Sequence, residues 1–294
     1  MVNNSQSAAE NSGDLLFELA YRGVEPAERV LMATNETRSS HGRDEVFGYL
    51  CRRCLKCCHH KNIQLNPYEV ARLARNRGLP TGEFRAAWTD QRAGLVLRQT
   101  ESGACVFLGN EGCTVHPDRP LVCRLYPLGR HVRADDKETF FHLEPHPHSR
   151  GTFTRSGTIG EFLTSQDAHA FIEASDDYFR WLCAARRFVN QAGESEHFTA
   201  ADAEAAIELL DMDTMVARHC AAPEIAESLD ADARRALHLR FLYQQLHDER
   251  REGRSVAISV LAAAICLLGI SLGVSGTSVG EALAANGPAD QNSG

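Results

Sequence analysis

The spacing of apolar and polar positions marks out a series of helices with punctuated ends. Asn66 is placed to cap a helix, Pro67 suits its first position, and Glu69 stands three residues after the cap, as a capping box requires. Val70, Leu73 and Ala74 follow as an apolar stripe, and Gly78 offers a left-handed stop. Thr158 and Glu161 repeat the capping spacing, and Ala168, Phe171, Ile172, Phe179 and Leu182 come after them at helical intervals. Thr199 and Asp202 open another helix, and Leu237, Phe241 and Leu242 carry the pattern into a further one. The aromatic residues in these stripes read as core packing.

The same pattern divides the chain. Residues 1–13 are polar and read as a disordered N-terminus, and residues 14–50 as a helical lead-in. Residues 51–150 are rich in cysteine and histidine and read as a metal-binding module, in which the first cysteines form a loop feeding the helix at Pro67. Residues 151–254 form a helical region, residues 255–276 an apolar segment and residues 277–294 a polar tail. The expected fold class is mainly α: an irregular, metal-stapled cysteine-cluster module with helices, plus a C-terminal transmembrane helix.

That last element rests on residues 256–275, twenty positions without a charge, ten of them Leu, Ile or Val. Twenty apolar residues are about the length that spans a bilayer. At roughly −0.3 to −0.6 kcal/mol each, the ten supply about −3 to −6 kcal/mol of apparent insertion free energy, which three Ser and two Gly reduce. Arg250, Arg251 and Arg254 precede the segment and no Lys or Arg follows it, so the main domain is expected on the cytoplasmic side, with the membrane as a partner. Gly269 and Gly273 have the spacing of a helix-packing pair. The alternative is a buried Ala/Leu-rich helix in a soluble cytoplasmic protein.

Composition narrows the chemistry. Over 294 residues, 43% hydrophobic and 24% charged content is ordinary for a globular chain, and a net charge of −8 argues against nucleic acid as a partner. A protein partner is left unidentified. The N-terminus lacks a basic stretch followed by an apolar core, so no secretory signal is expected and thiols should stay reduced.

Seven of the ten cysteines fall between positions 51 and 123: Cys51, Cys54, Cys57, Cys58, Cys105, Cys113 and Cys123. Cys183, Cys220 and Cys266 are isolated and read as small buried residues. Cys-x-x-Cys turns bring two thiolates to one ion and build zinc and iron–sulfur sites. Arg52, Arg53, Lys56 and Lys61 surround the first four cysteines and favour the thiolate form. Neighbouring Cys57 and Cys58 do not readily fill two corners of one tetrahedron, so they are expected to serve different metals, or one to stay spare.

The run CRRCLKCC, then NPYEVARLA, CVFL and GCTVHPDRPLVCRLYP, resembles the YkgJ-like cysteine-cluster family over roughly residues 48–182. The resemblance implies a zinc- or iron-chelating domain whose ligands fall on Cys51, Cys54, Cys57, Cys58, Cys105, Cys113 and Cys123. Arg119-Pro120 and Arg124-Leu125-Tyr126-Pro127 match its flanking motifs. Where such proteins commonly carry a further cysteine, this chain has His146, with His142 and His148 as alternatives and His59, His60, His116 and His131 as weaker candidates. Seven cysteines and His146 make eight ligands, enough for two four-coordinate metal centres. Zinc and an iron–sulfur cluster both remain open. So do three roles: metal handling or partner binding, an iron–sulfur enzyme or electron carrier (with methyl transfer as in the related flagellin lysine methylases), and a structural zinc module for protein contacts. No residue stands out as catalytic.

Overall fold

The computed structural model describes residues 40–90, 95–133, 135–192, 198–220, 223–252 and 255–268. The expected disordered N-terminus, most of the lead-in, the Gly269/Gly273 pair and the polar tail lie outside the described residues.

The three capping signals act where the pattern places them. Helix α1 (Pro67–Arg77) starts on Asn66, whose side chain accepts the Glu69 N–H while Glu69 accepts the Asn66 N–H, and it ends on Gly78 at φ 66°. After the short helix α2 (Thr81–Trp88), small strands β2 (Thr89–Asp90), β3 (Val96–Leu97), β4 (Leu108–Gly109) and β5 (Gly112–Cys113) lead to helix α3 (Leu121–Leu125). Thr158 and Glu161 form a second reciprocal cap on α4 (Ile159–Ser165), which runs into the long α5 (His169–Ala192). Thr199 and Asp202 form a third on α6 (Ala200–Leu209). Each such cap satisfies two backbone donors that the first turn leaves unpaired and contributes about 1 kcal/mol. Helices α7 (Met212–His219), α8 (Pro223–Ser228), α9 (Ala231–Glu252) and α10 (Ser255–Leu267) complete the chain.

Two corrections to the expected fold class follow. First, the described residues hold eight strands beside ten α-helices. The strands pair antiparallel in twos, and the clearest pairs join β1 (Val46–Leu50) to β8 (Thr152–Thr158) and β6 (Leu128–Val132) to β7 (Glu138–His142). Four of the strands have two residues each, too short to show an alternating pattern. The β1–β8 pair matters most for the site. Leu50 stands opposite Thr152, so the hundred-residue excursion that carries the cysteines leaves and re-enters through one clasp.

Second, the expected membrane-spanning helix is not supported. Among the described residues, no helix is long and apolar enough to cross a membrane. Helix α10 has 13 residues, about 20 Å of helix, where a bilayer core needs about 30 Å. A helix apolar on every face fits a protein core as well as a lipid core, and this one packs against α5 and α6. Leu261, Ala262, Ala263, Ala264, Ile265 and Leu267 are all buried, and the run of alanines lets neighbouring backbones approach closely. Its last turn is met by the cysteine-bearing region. The Leu267 carbonyl accepts the Leu95 N–H and the Gln64 side-chain amide, both at 3.2 Å.

One core therefore runs through the molecule. Leu65, Leu73, Phe107 and Leu128 from the cysteine-bearing region join Phe171, Trp181 and Leu242 from the helices and Ala263 and Ile265 from α10.

Candidate metal centre

The first four cysteines follow directly on β1. The chain turns there through left-handed residues that are not glycine: Arg53 at φ 49°, Leu55 at φ 64° and His60 at φ 52°. Such conformations are costly for side-chain-bearing residues and persist where surrounding contacts fix them. Leu55 starts a 3-10 turn over Lys56–Cys58, and its carbonyl accepts the Cys58 N–H at 3.1 Å.

The second cysteine segment is zipped onto the first. Cys105 N–H donates to the Cys58 carbonyl at 2.8 Å, His59 pairs with Ala104, and His60 N–H donates to Gly103 at 2.7 Å. Glycine suits this position, because its φ is 77° and a Cβ would displace the His60 ring. The β4–β5 hairpin then brings Cys113 opposite Leu108, and α3 carries Cys123.

Two buried side chains hold α3 in place. The Glu69 carboxylate accepts the Leu121 N–H at 2.7 Å, at the helix start. Arg124, only 1% exposed, donates to the carbonyls of Pro117, Arg119, Gln166 and Asp167, and its guanidinium lies 3.8 Å from the centre of the Phe171 ring. Tyr178 and His238 were invisible as a pair in sequence, and they sit away from this region in the helical core.

All seven cysteines are free thiols. Cys57 and Cys58 do not point apart. Their sulfurs share a hydrogen bond, which lowers the Cys57 pKa and raises that of Cys58; burial and the charges of Cys57, Cys123 and Cys113 raise Cys58 further. Burial raises Cys105, with Cys113 adding to it, and burial raises Cys113 against the pull of Arg119 and Arg77. Cys123 is exposed by area but closely surrounded by protein, so poor hydration raises its thiol, and Cys105 and Cys113 raise it again. Four thiols, Cys58, Cys105, Cys113 and Cys123, are thus held towards the protonated form, and the fifth, Cys57, ionises first. A cation among them reverses that balance, because a coordinated thiol is held deprotonated.

The other expected ligands lie at the rim. Burial raises Cys54, but the Arg150 N–H at 3.5 Å and further hydrogen bonds outweigh it and leave the pKa lowered. Cys51 is exposed, and its sulfur accepts the Arg53 N–H at 3.4 Å. His146 belongs to the loop that meets Cys54: its N–H donates to the Tyr126 hydroxyl at 3.2 Å, and its Nδ1 accepts the His148 N–H at 3.1 Å. That second bond puts the proton of the neutral ring on Nε2, so neither nitrogen offers a free lone pair. His142 stacks on His41 with ring centres 5.0 Å apart, and His131 sits in β6. His116 faces the Arg119 guanidinium.

The donor chemistry fits zinc or iron: soft thiols, reduced, with nearby cationic Arg119 and Arg77 to offset thiolate charge. The shell is gathered but not closed, since among the described residues no three His, Cys, Asp or Glu side chains converge as a metal requires. Sequence patterning missed Glu69 as a brace for α3, because its partner lies 52 residues away.

No curated protein and no solved structure matches the chain. A family model does match, over residues 50–146, the span that runs from the end of β1 to His146. Over that span the chain is similar to the CxxCxxCC family, described as "Putative zinc- or iron-chelating domain".

Proposed function

We propose that this protein chelates zinc or iron through the thiolates of residues 51–123, and that the helices serve to hold that domain. The carrying observation is the gathering of free thiols in one domain: the Cys105 N–H on the Cys58 carbonyl at 2.8 Å ties the second cysteine segment to the hydrogen-bonded Cys57–Cys58 pair, within the span that matches the chelating family. The thiols are reduced and uncrosslinked, and the Cys57 hydrogen bond at Cys58 and burial at Cys105, Cys113 and Cys123 oppose their ionisation. A divalent cation relieves that cost and closes the shell.

When bound, the metal supplies a positive charge that fixes thiolates. The chain's own residues do the rest. Cys105 N–H on the Cys58 carbonyl keeps the first two segments together, and Arg124 and Glu69 hold the helix that presents Cys123. Cys51 and Cys54 lie on the rim, where they can join as the loops close. Metal binding of this kind is coupled to local folding, so gathered but unconverged donors suit a site completed by its ion.

The test is anaerobic purification followed by metal analysis and a visible absorption spectrum. Near-stoichiometric zinc in colourless protein, or iron with inorganic sulfide in brown protein, supports chelation and identifies the metal. Protein that retains neither after anaerobic loading sinks the reading.

A further inference from the structure

We propose that Ser149 is a positioning residue for the Cys54 sulfur: together with the Arg150 N–H it holds that sulfur from the far end of the cysteine-bearing region, and its hydroxyl sets how firmly Cys54 holds a metal ion. The proposal rests on the chelating reading above.

The contacts are direct. The Arg150 N–H donates to the Cys54 sulfur at 3.5 Å, and the Ser149 hydroxyl lies 3.9 Å from it, both within the longer reach of bonds to sulfur. The two partners stand 95 and 96 residues further along the chain. Other sulfurs of the domain draw on close neighbours: Cys51 on the Arg53 N–H, Cys105 on that of Phe107 and Cys113 on that of Val115. A local bond travels with its own turn. The bonds to Cys54 tie the first cysteine turn to the segment that enters β8.

Ser149 is itself held. Its N–H donates to the His146 carbonyl at 2.6 Å, its oxygen accepts the Gly151 N–H at 3.1 Å, and the Tyr49 hydroxyl lies 3.2 Å away. Gly151 sits so close to Tyr49 that a Cβ would overlap the phenol oxygen, and Tyr49 pairs with Phe153 across the β1–β8 clasp.

A serine hydroxyl has one proton and two lone pairs. Gly151 fills one lone pair, so the proton goes either to Tyr49 or to Cys54. A thiolate only accepts, and a charged acceptor makes the stronger bond. With Cys54 deprotonated on a metal, the Ser149 O–H turns to the sulfur and the Tyr49 O–H fills the second lone pair. Hydrogen bonds to a ligating sulfur tune the metal it holds, and loss of such an outer partner typically costs about 10–100-fold in metal affinity.

The test loads the full-length protein anaerobically with Zn2+, read by competition with a chelator, and in a parallel sample with Co2+, read by its thiolate-to-metal absorption band. Ser149→Ala is expected to weaken Zn2+ binding by about tenfold and to move the Co2+ band to longer wavelength, and Ser149→Thr to restore both. In a Cys54→Ala background, Ser149→Ala should change neither. Unchanged affinity and band in Ser149→Ala, or an equal loss in both backgrounds, overturns the inference and leaves chelation standing. Wild type that retains neither metal overturns both. Should Ser149→Ala fail to fold, amide exchange at Arg150 in the wild type decides instead. Exchange slowed by Zn2+ loading supports a bond to a metal-held sulfur, and unchanged exchange refutes it.

Discussion

The Glu69 carboxylate joins two helices at their starts: one oxygen accepts the Asn66 N–H at 3.0 Å and the other the Leu121 N–H at 2.7 Å. The first bond caps α1; the second fixes the helix that carries Cys123 two positions later. A glutamine offers one oxygen where two N–H groups need acceptors, so Glu69→Gln leaves a buried donor facing an amide nitrogen. The expected cost is about 1–3 kcal/mol in chemical denaturation, together with weaker metal retention. A variant with wild-type stability would show that the bridge carries nothing.

Glu69 also gives the protein a pH signature. Burial outweighs the backbone donors and Arg124, and pushes its carboxyl up to about 7. The folded state therefore holds a proton that the unfolded chain releases near pH 4.5. Its contribution to stability is greatest below that pH and is lost as pH rises towards 7, by about 3 kcal/mol in all. The stability gap between wild type and Glu69→Gln is expected to be wider at pH 5 than at pH 8, as read from denaturation midpoints.

His238 works in the opposite direction. Its Nδ1 accepts the Tyr178 hydroxyl and its Nε2–H donates to the Leu209 carbonyl, both at 2.8 Å, in a site with 0% exposure. Burial lowers its pKa to about 4, so the ring stays neutral in the fold while the unfolded chain binds a proton near pH 6.5. Its contribution is complete above pH 6.5 and is lost as pH falls through 4, again by about 3 kcal/mol. Between pH 4.5 and 6.5 the two residues oppose each other. Wild-type stability should vary little there from these two groups, whereas Glu69→Gln should lose stability on acidification. A flat profile in that variant would remove His238 as the cause.

How far the sequence revealed this molecule follows from the range of each interaction. The caps at Asn66, Thr158 and Thr199 were legible because each bond spans three residues. The thiols were legible because cysteine's chemistry belongs to the residue type. Arg124 stood in a recognisable motif, but its acceptors on Gln166 and Asp167 lie more than forty residues away, so its burial could not be read. The β2–β3 and β4–β5 pairs have two residues per strand and carry no period. The apolar run near the C-terminus was misread because uniform hydrophobicity does not say which apolar medium covers it.

Gly103→Ala tests the zipper between the first two cysteine segments. The substitution places a side chain at φ 77° and drives the His60 ring from its position. A left-handed residue costs roughly 1–2 kcal/mol for a non-glycine side chain, and the clash adds to it. Removing the ring in Gly103→Ala/His60→Ala should recover the clash and leave the backbone cost. Thermal melts of both variants separate the two. Equal melting temperatures would mean that the ring simply turns away.

Helix α10 offers a test that distinguishes a core from a bilayer. Ala263 has 0% exposure in a helix packed against α5 and α6. Ala263→Leu adds apolar volume, which a lipid-facing helix would accept and a filled core would not. Overpacking a core costs about 1–3 kcal/mol, and the strain falls on the helix whose Leu267 carbonyl serves Leu95 and Gln64. The expected result is a lowered denaturation midpoint, with amide exchange accelerated at Leu95, since its N–H loses a fixed acceptor. Ala263→Ser, which changes volume little, should move the midpoint less. If Ala263→Leu leaves both midpoint and Leu95 exchange unchanged, α10 is not held in the core by close packing at this position.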